Sequence, residues 1–128
     1  MRGQPVHSYG TAELDLRLTS RRTDRTLIIT VRGEVDLDTI EPLQYALSAA
    51  RTGPDLGRTV VLDLSGVTFA GTSLINALLR ARRHLGPGRL RIADPSLCVA
   101  RLMRLAGLDG HFTTATSIGF ASAPAMAT

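Results

Sequence analysis

The first regular pattern along the chain is an alternation of leucines with polar residues over residues 14–19. A period of two is typical of a strand with one buried face. A charged turn over residues 21–25 separates this stretch from residues 26–32, which are more continuously apolar. Two strands joined by a short polar turn predict a β-hairpin.

A helical pattern follows the hairpin and runs to residue 49 or 50. Leu43, Leu47 and Ala50 recur on one face at helical spacing. We expect Thr39 to be the N-cap, because this choice puts Pro42 in the first turn, where a missing N–H does no harm. The segment therefore predicts an amphipathic helix packed on the sheet.

The next strand and helix surround a junction that carries two hydroxyl groups. Residues 59–64 are typical of a buried strand, residues 65–68 of a short connection, and a helix is expected from the junction to about His84. The sequence Gly-Pro-Gly at residues 86–88 ends that helix.

The last part of the chain repeats the alternation of strand and helix. Residues 89–93 predict a fourth strand, and Asp94 is expected to cap a third helix with proline at its first position. Gly107 followed by Leu108 is typical of a helix stop, and residues 111–116 fit a short edge strand. Parallel strands need such crossover helices, so the order predicts an α/β fold with a mixed sheet.

The composition fits one globular domain. The chain has 128 residues, of which 44% are hydrophobic and 4% aromatic, so we expect one mainly aliphatic core. We predict a disordered lead at residues 1–11, the domain at 12–116 and a weakly structured tail at 117–128. The N-terminus lacks a signal-peptide core and no apolar run reaches membrane-spanning length. These features predict a cytoplasmic protein that does not bind a membrane.

Charge and reactive residues disfavour several classes of function. The net charge is +4, and all fifteen basic residues are arginines spread along the chain. Direct nucleic-acid binding is disfavoured, because it needs clustered cations. Cys98 lies in an apolar helical pattern and is predicted to be a core residue, while His7, His84 and His111 lack the paired spacing of metal ligands. We therefore expect no cofactor and no metal.

The junction at residues 69–76 reads FAGTSLIN and places Thr72 and Ser73 between a strand and a helix. Either hydroxyl is expected to cap the helix. A nucleophile would need a base within hydrogen-bond reach, but His84 lies at the far end of the same helix and nothing in the sequence places His111 nearby. A phosphate is the third possibility, because the helix dipole and free N–H groups favour an anion there.

Three segments taken together resemble a known family. Residues 31–47 (VRGEVDLDTIEPLQYAL), 60–85 (VVLDLSGVTFAGTSLINALLRARRHL) and 94–112 (DPSLCVARLMRLAGLDGHF) resemble the STAS-domain anti-sigma factor antagonists of bacteria. The resemblance covers roughly residues 12–116. It implies a STAS-like mixed sheet of four to five strands packed with about three to four helices.

The resemblance also implies a function that is not enzymatic. Members of this family bind an anti-sigma factor, often one that is also a serine kinase, and so free a sigma factor for transcription. Phosphorylation at the start of the second helix blocks that binding. Carried onto this chain, Thr72 takes the phosphorylated position, with Ser73 as second choice, Gly71 stands where the family has Asp, and Leu74 stands where it has Gly.

The resemblance implies partner contacts in two places. One is the loop that follows the second strand, and the other is the altered junction. We interpret Leu74 as an additional or substituted hydrophobic anchor for the partner, which would alter the choice of partner. An alternative interpretation is a divergent STAS module that is never phosphorylated and binds proteins in another signalling assembly. The predicted partner-binding residues are Gly33, Glu34, Asp36, Thr39, Gly71, Thr72, Ser73, Leu74 and Asn76.

Overall fold

The computed structural model describes residues 16–86, 88–108, 110 and 112–115. The predicted lead at 1–11 and tail at 117–128 lie outside the described residues. The elements are β1 (Leu16–Arg22), β2 (Thr26–Val35), α1 (Glu41–Ala49), a 3₁₀ turn (Gly53–Asp55), β3 (Thr59–Ala70), α2 (Thr72–Leu85), β4 (Leu90–Ala93), α3 (Leu97–Leu105) and β5 (Thr113–Ala115).

The strands form one mixed sheet, which confirms the predicted fold class. Their spatial order is β1-β2-β3-β4-β5, with β1 antiparallel to β2 and the other neighbours parallel. Each parallel step crosses over through a helix in the same direction along the sheet. Because such crossovers are right-handed, α1, α2 and α3 all lie on one face.

The core confirms this one-sided arrangement. Alternate residues of the strands and the inward faces of all three helices contribute to a single large cluster. The opposite face of the sheet carries a small second cluster of Ile28, Val61 and Ala93. Members of the main cluster with almost no exposure are Ile29, Val31, Val35, Leu43, Ala50, Val60, Leu62, Leu64, Leu74, Leu78, Ile92 and Val99.

Strand β3 is longer than the sequence predicts. The expected connection at residues 65–68 is part of the strand, which continues to Ala70. Pairing with β2 persists to Val35 opposite Ala70, with two shifts of register on the way. Hydrogen bonding along the ladder therefore outweighs the turn preference of Ser65 and Gly66, as tertiary context often does in sheets.

Two of the predicted helix caps are wrong. Helix α1 has Ile40 as its N-cap, and α3 begins at Leu97 with Ser96 as its N-cap. Asp94 instead adopts a left-handed conformation with φ of 47°, which aspartate tolerates better than most residues. It thereby makes a tight turn after β4 and shifts the start of α3 further along the chain.

The predicted end of α3 is confirmed. Gly107 has φ of 75°, and the N–H of Leu108 donates to the carbonyl oxygen of Met103 at 2.8 Å. Leu108 is buried in the main cluster. This is the glycine stop with an apolar residue packing back on the helix, and it directs the chain towards β5 at the edge of the sheet.

Candidate functional site

The two segments that carry the predicted site meet at one edge of the sheet. Parallel strands end at the same edge, and Val35 at the end of β2 pairs with Ala70 at the end of β3. The N–H of Gly71 then donates to the carbonyl oxygen of Val35 at 2.9 Å. This bond fixes the start of α2 beside the loop that follows β2.

That loop, residues 36–39, is closed by its own polar side chains. The hydroxyl of Thr39 donates to the carbonyl oxygen of Glu34 at 2.7 Å and accepts from the N–H of Asp36 at 3.0 Å. The carboxylate of Asp36 accepts from the N–H groups of Asp38 and Thr39 at 2.9 and 3.2 Å. Thr39 is buried, so its role here is to shape the loop and not to present a side chain at the surface.

Gly33 shapes the end of β2 in a similar way. Its φ is 104°, a conformation that strains any residue with a Cβ. The register between β2 and β3 shifts between Gly33 and Glu34, which places exposed Glu34 opposite Phe69. The glycine predicted from the family's loop is therefore a backbone requirement of this strand.

The two hydroxyls at the junction differ in accessibility. Gly71 is the N-cap of α2 in extended conformation, and no side chain caps the helix, so the prediction that Thr72 or Ser73 caps it is wrong. Thr72 opens the helix and is exposed. The Oγ of Ser73 is buried and has no hydrogen-bond partner among the described residues. Thr72 is therefore accessible from solvent, while the hydroxyl of Ser73 is shielded.

Leu74 is not a surface anchor, and that interpretation is wrong. Its side chain is 0% exposed and belongs to the main core. The reason is the period of α2, whose buried face begins with Leu74 and Ile75 and continues at Leu78. The leucine at this position therefore fills the core beneath the junction.

Gly71 stands in open surroundings. A Cβ built on it would lie 3.9 Å from the Cβ of Asp36 and 4.0 Å from the ring of Phe69, which is ordinary contact. Its backbone is extended, with φ of −99°. The structure therefore does not require glycine here, and the position is free to carry a side chain towards Asp36.

Two exposed apolar side chains beside the junction were missed by the sequence analysis. Leu37 in the loop after β2 is 81% exposed, and Phe69 at the end of β3 is 52% exposed. Exposed apolar side chains, aromatic ones in particular, are a feature of protein-binding surfaces. The available signal was an apolar residue between two aspartates in a polar loop and a phenylalanine next to the hydroxyl pair.

The predicted residue Asn76 completes this edge. It lies four positions after Thr72 on α2, so the two exposed side chains share one face of the helix. We define the junction surface as Leu37, Phe69, Thr72 and Asn76, with Glu34 beside Phe69.

Among the described residues of α2, no histidine lies within reach of the Thr72 and Ser73 hydroxyls to act as a base. His84 is twelve positions from Thr72, or about 18 Å along the helix. Among the described residues, no group of three His, Cys, Asp or Glu side chains could hold a metal ion. No described helix has the length and apolar character to cross a membrane.

The described residues form an α/β domain in which α1, α2 and α3 pack on one face of a mixed sheet. Thr72, at the start of the second helix, is exposed. A family model described as "Mlab, STAS domain" matches residues 18–116. The chain therefore belongs to the STAS domain family, and the resemblance found in the sequence is confirmed. No curated protein matches the sequence.

Solved structures show the same fold. An anti-sigma factor antagonist from Mycobacterium paratuberculosis is 26% identical, with a TM-score of 0.71 over 83% of this chain and 90% of that one. An anti-sigma-factor antagonist (STAS) domain protein from Planctomyces limnophilus is 20% identical, with a TM-score of 0.72 over 87% and 98%. The phosphorylated form of SpoIIAA from Bacillus is 21% identical, with a TM-score of 0.58 over 77% and 91%.

Proposed function

We propose that this protein is an anti-sigma factor antagonist: it binds an anti-sigma factor through the junction surface and so releases a sigma factor. The observation that carries the proposal is that Phe69 at the end of β3 and Thr72 at the start of α2, three residues further on, are both exposed. Membership of the STAS family and likeness to the mycobacterial antagonist support it. The role needs no cofactor and no catalysis by this chain, and it belongs in the bacterial cytoplasm.

Phosphorylation of Thr72 is the proposed switch, with a kinase-like anti-sigma factor as the enzyme. A phosphate adds about −1.5 to −2 charges, and the N-terminus of α2 tolerates an anion because of its dipole and N–H groups. The same charge is costly once a partner covers it or presents carboxylates to it, by several kcal/mol. Phosphorylation therefore dissociates the partner without unfolding this protein.

Mapping the phosphate tests the choice between the two hydroxyls. The protein is incubated with ATP and each purified kinase-like anti-sigma factor from the same genome, and the products are mapped by mass spectrometry. We expect phosphate on Thr72, its loss in Thr72→Ala and its retention in Ser73→Ala. Full phosphorylation of Thr72→Ala would refute the assignment.

Affinity measurements test the switch itself. Thr72→Glu should weaken binding of the anti-sigma factor at least 100-fold, because a carboxylate enters the contact. Thr52→Glu is the matched control, since Thr52 is also exposed but lies in the loop between α1 and β3, at the opposite edge of the sheet. The control should bind within threefold of the unmodified protein.

A STAS module that is never phosphorylated is the second candidate. It is favoured by Gly71 and by the core position of Leu74, which replace the Asp and Gly of the family's motif around the hydroxyl pair. In that case no kinase-like anti-sigma factor modifies the chain, and Thr72→Glu leaves the affinity for the binding partner unchanged. The phosphate map and the affinity of this variant together separate the two candidates.

A further inference from the structure

A groove of about 450 Å³ lies between α1 and α2. Both helices begin at the edge that carries the junction surface and run away from it side by side. Glu41 and Asn76 therefore line the end near Thr72, and Arg51 and His84 line the far end. The groove is continuous with the junction surface through Asn76.

The far end of the groove is positively charged. Arg51, Arg80 and His84 line it, and Arg83 is exposed beside them on α2. Within the described part of the chain, none of these arginines forms an ion pair; the salt bridges seen there join Asp55 to Arg22 and to Arg58. Desolvation lowers the pKa of His84, and the positive charges of Arg51, Arg83 and Arg80 lower it further.

The groove also presents an aromatic side chain. Tyr45 on α1 is 70% exposed and lines it. Tyr and Arg are, with Trp, enriched among the residues that dominate protein-protein binding energy. A groove with a tyrosine and several arginines that form no ion pair with the described residues is suited to an acidic segment that also offers an apolar side chain.

We propose that this groove receives an acidic segment of the anti-sigma factor, which extends the contact from the junction surface along α1 and α2. The inference rests on the proposed function and names the second half of its partner surface. Nucleic acid is the weaker candidate, because tight binding needs a long stripe of cations. Here the cations occupy one end of the groove, and Glu41 lies at the other.

Charge reversal tests the groove. Affinity for the anti-sigma factor that binds the unmodified protein is measured by biolayer interferometry at 50 and 200 mM salt. Arg51→Glu combined with Arg80→Glu should weaken binding at least 30-fold at low salt and reduce the salt dependence. The matched control combines Arg17→Glu with Arg104→Glu, two exposed arginines outside the groove, and should stay within threefold. Circular dichroism verifies that both double variants are folded.

The outcomes distinguish failure of the groove proposal from failure of the proposed function. If the unmodified protein binds and the groove variant loses no affinity, the groove proposal alone is overturned. An equal loss in the control also overturns it, because net charge then explains the effect. If no anti-sigma factor from the same genome binds the unmodified protein, the proposed function and the groove both fail.

Cross-linking tests the chemistry of the occupant. The photoreactive residue p-benzoylphenylalanine replaces Tyr45, or for comparison Leu105, which is equally exposed at the end of α3. We expect the Tyr45 position to cross-link a partner segment with net negative charge and the Leu105 position to give none. A neutral or basic segment overturns the proposal. A 20-mer DNA that binds in an Arg51- and Arg80-dependent manner overturns it in favour of nucleic acid.

Discussion

The hydroxyl of Thr39 donates a hydrogen bond of 2.7 Å to the carbonyl oxygen of Glu34, across the loop that leads from β2 to α1. The Oγ1 of Thr39 also accepts from the N–H of Asp36 at 3.0 Å. One buried side chain thus satisfies an acceptor and a donor of the backbone. Because this loop presents Leu37, the shape of the junction surface depends on a residue that does not reach it.

Replacing Thr39 with Val should remove both bonds while keeping the shape of the side chain. Leaving backbone groups without their partner costs about 1–3 kcal/mol, so we expect the free energy of unfolding to fall by about that amount in urea titrations. Thr39→Ser keeps the hydroxyl and should lose less than half as much. Equal losses in the two variants would show that packing of the methyl group, and not the hydrogen bonds, is what matters.

Replacing Ser73 with Ala should leave the protein as stable or make it slightly more stable. The Oγ of Ser73 is buried and without a hydrogen-bond partner in the described part of the chain. Removing such a group is favourable, and alanine is also the better helix former. We expect the free energy of unfolding to rise by up to about 1 kcal/mol. A loss of more than 1 kcal/mol would mean that this hydroxyl makes a stabilising contact.

The strand and helix order could be predicted from the sequence because it depends on local periodicity. Alternation over Leu16 and Leu18 and the helical spacing of Leu43 and Leu47 each reflect one buried face. The parallel order then follows from the crossover helices. The start of α3 could not be predicted from local signals, since it depends on the left-handed turn at Asp94 and on the bond from the N–H of Ser96 to Leu64 on β3.

The candidate site was predictable as a location but not in its details. The resemblance placed the loop at residues 36–39 beside the junction, and the bond between Gly71 and Val35 shows how they meet. The position of Phe69 opposite Glu34 depends on the register shift between β2 and β3, which local spacing does not show. The burial of Leu74 follows from the period of α2 once the start of that helix is known.

Restoring the family's residues should change stability little at position 71 and greatly at position 74. Gly71→Asp introduces a side chain where a Cβ meets only ordinary contacts and adds a favourable capping residue. We expect its free energy of unfolding to stay within about 1 kcal/mol of the unmodified protein. Leu74→Gly removes a core side chain that is fully buried, so a loss of about 3–6 kcal/mol is expected from the cavity and the lower helix propensity.

Urea denaturation of the two single variants and the double variant measures this difference. The replaced groups are three residues apart, and the stability change of the double variant should follow that of Leu74→Gly. A well-tolerated Leu74→Gly would show that α2 can sink towards the sheet and close the cavity. A loss above 2 kcal/mol in Gly71→Asp would instead reveal repulsion from the carboxylate of Asp36.

The positive end of the groove should be visible in the titration of His84. Desolvation comes first among the causes that lower its pKa, followed by the charges of Arg51, Arg83 and Arg80. We therefore expect proton NMR to give a value below the ordinary one of about 6.5. Arg51→Gln should raise it again, while Arg104→Gln on α3 should leave it unchanged. The His84→Gln variant assigns the resonance.

The lowered pKa of His84 also makes the stability of the protein depend on pH. A histidine whose pKa is lower in the folded state binds fewer protons there than in the unfolded chain. Its contribution to stability is therefore fully present above about pH 6.5 and is lost as the pH falls through the pKa of the folded protein. Thermal unfolding should show a smaller decrease in Tm between pH 7 and pH 5 in His84→Gln than in the unmodified protein. An identical decrease in both, or a His84 pKa at or above 6.5, would contradict a positive field at this end of the groove.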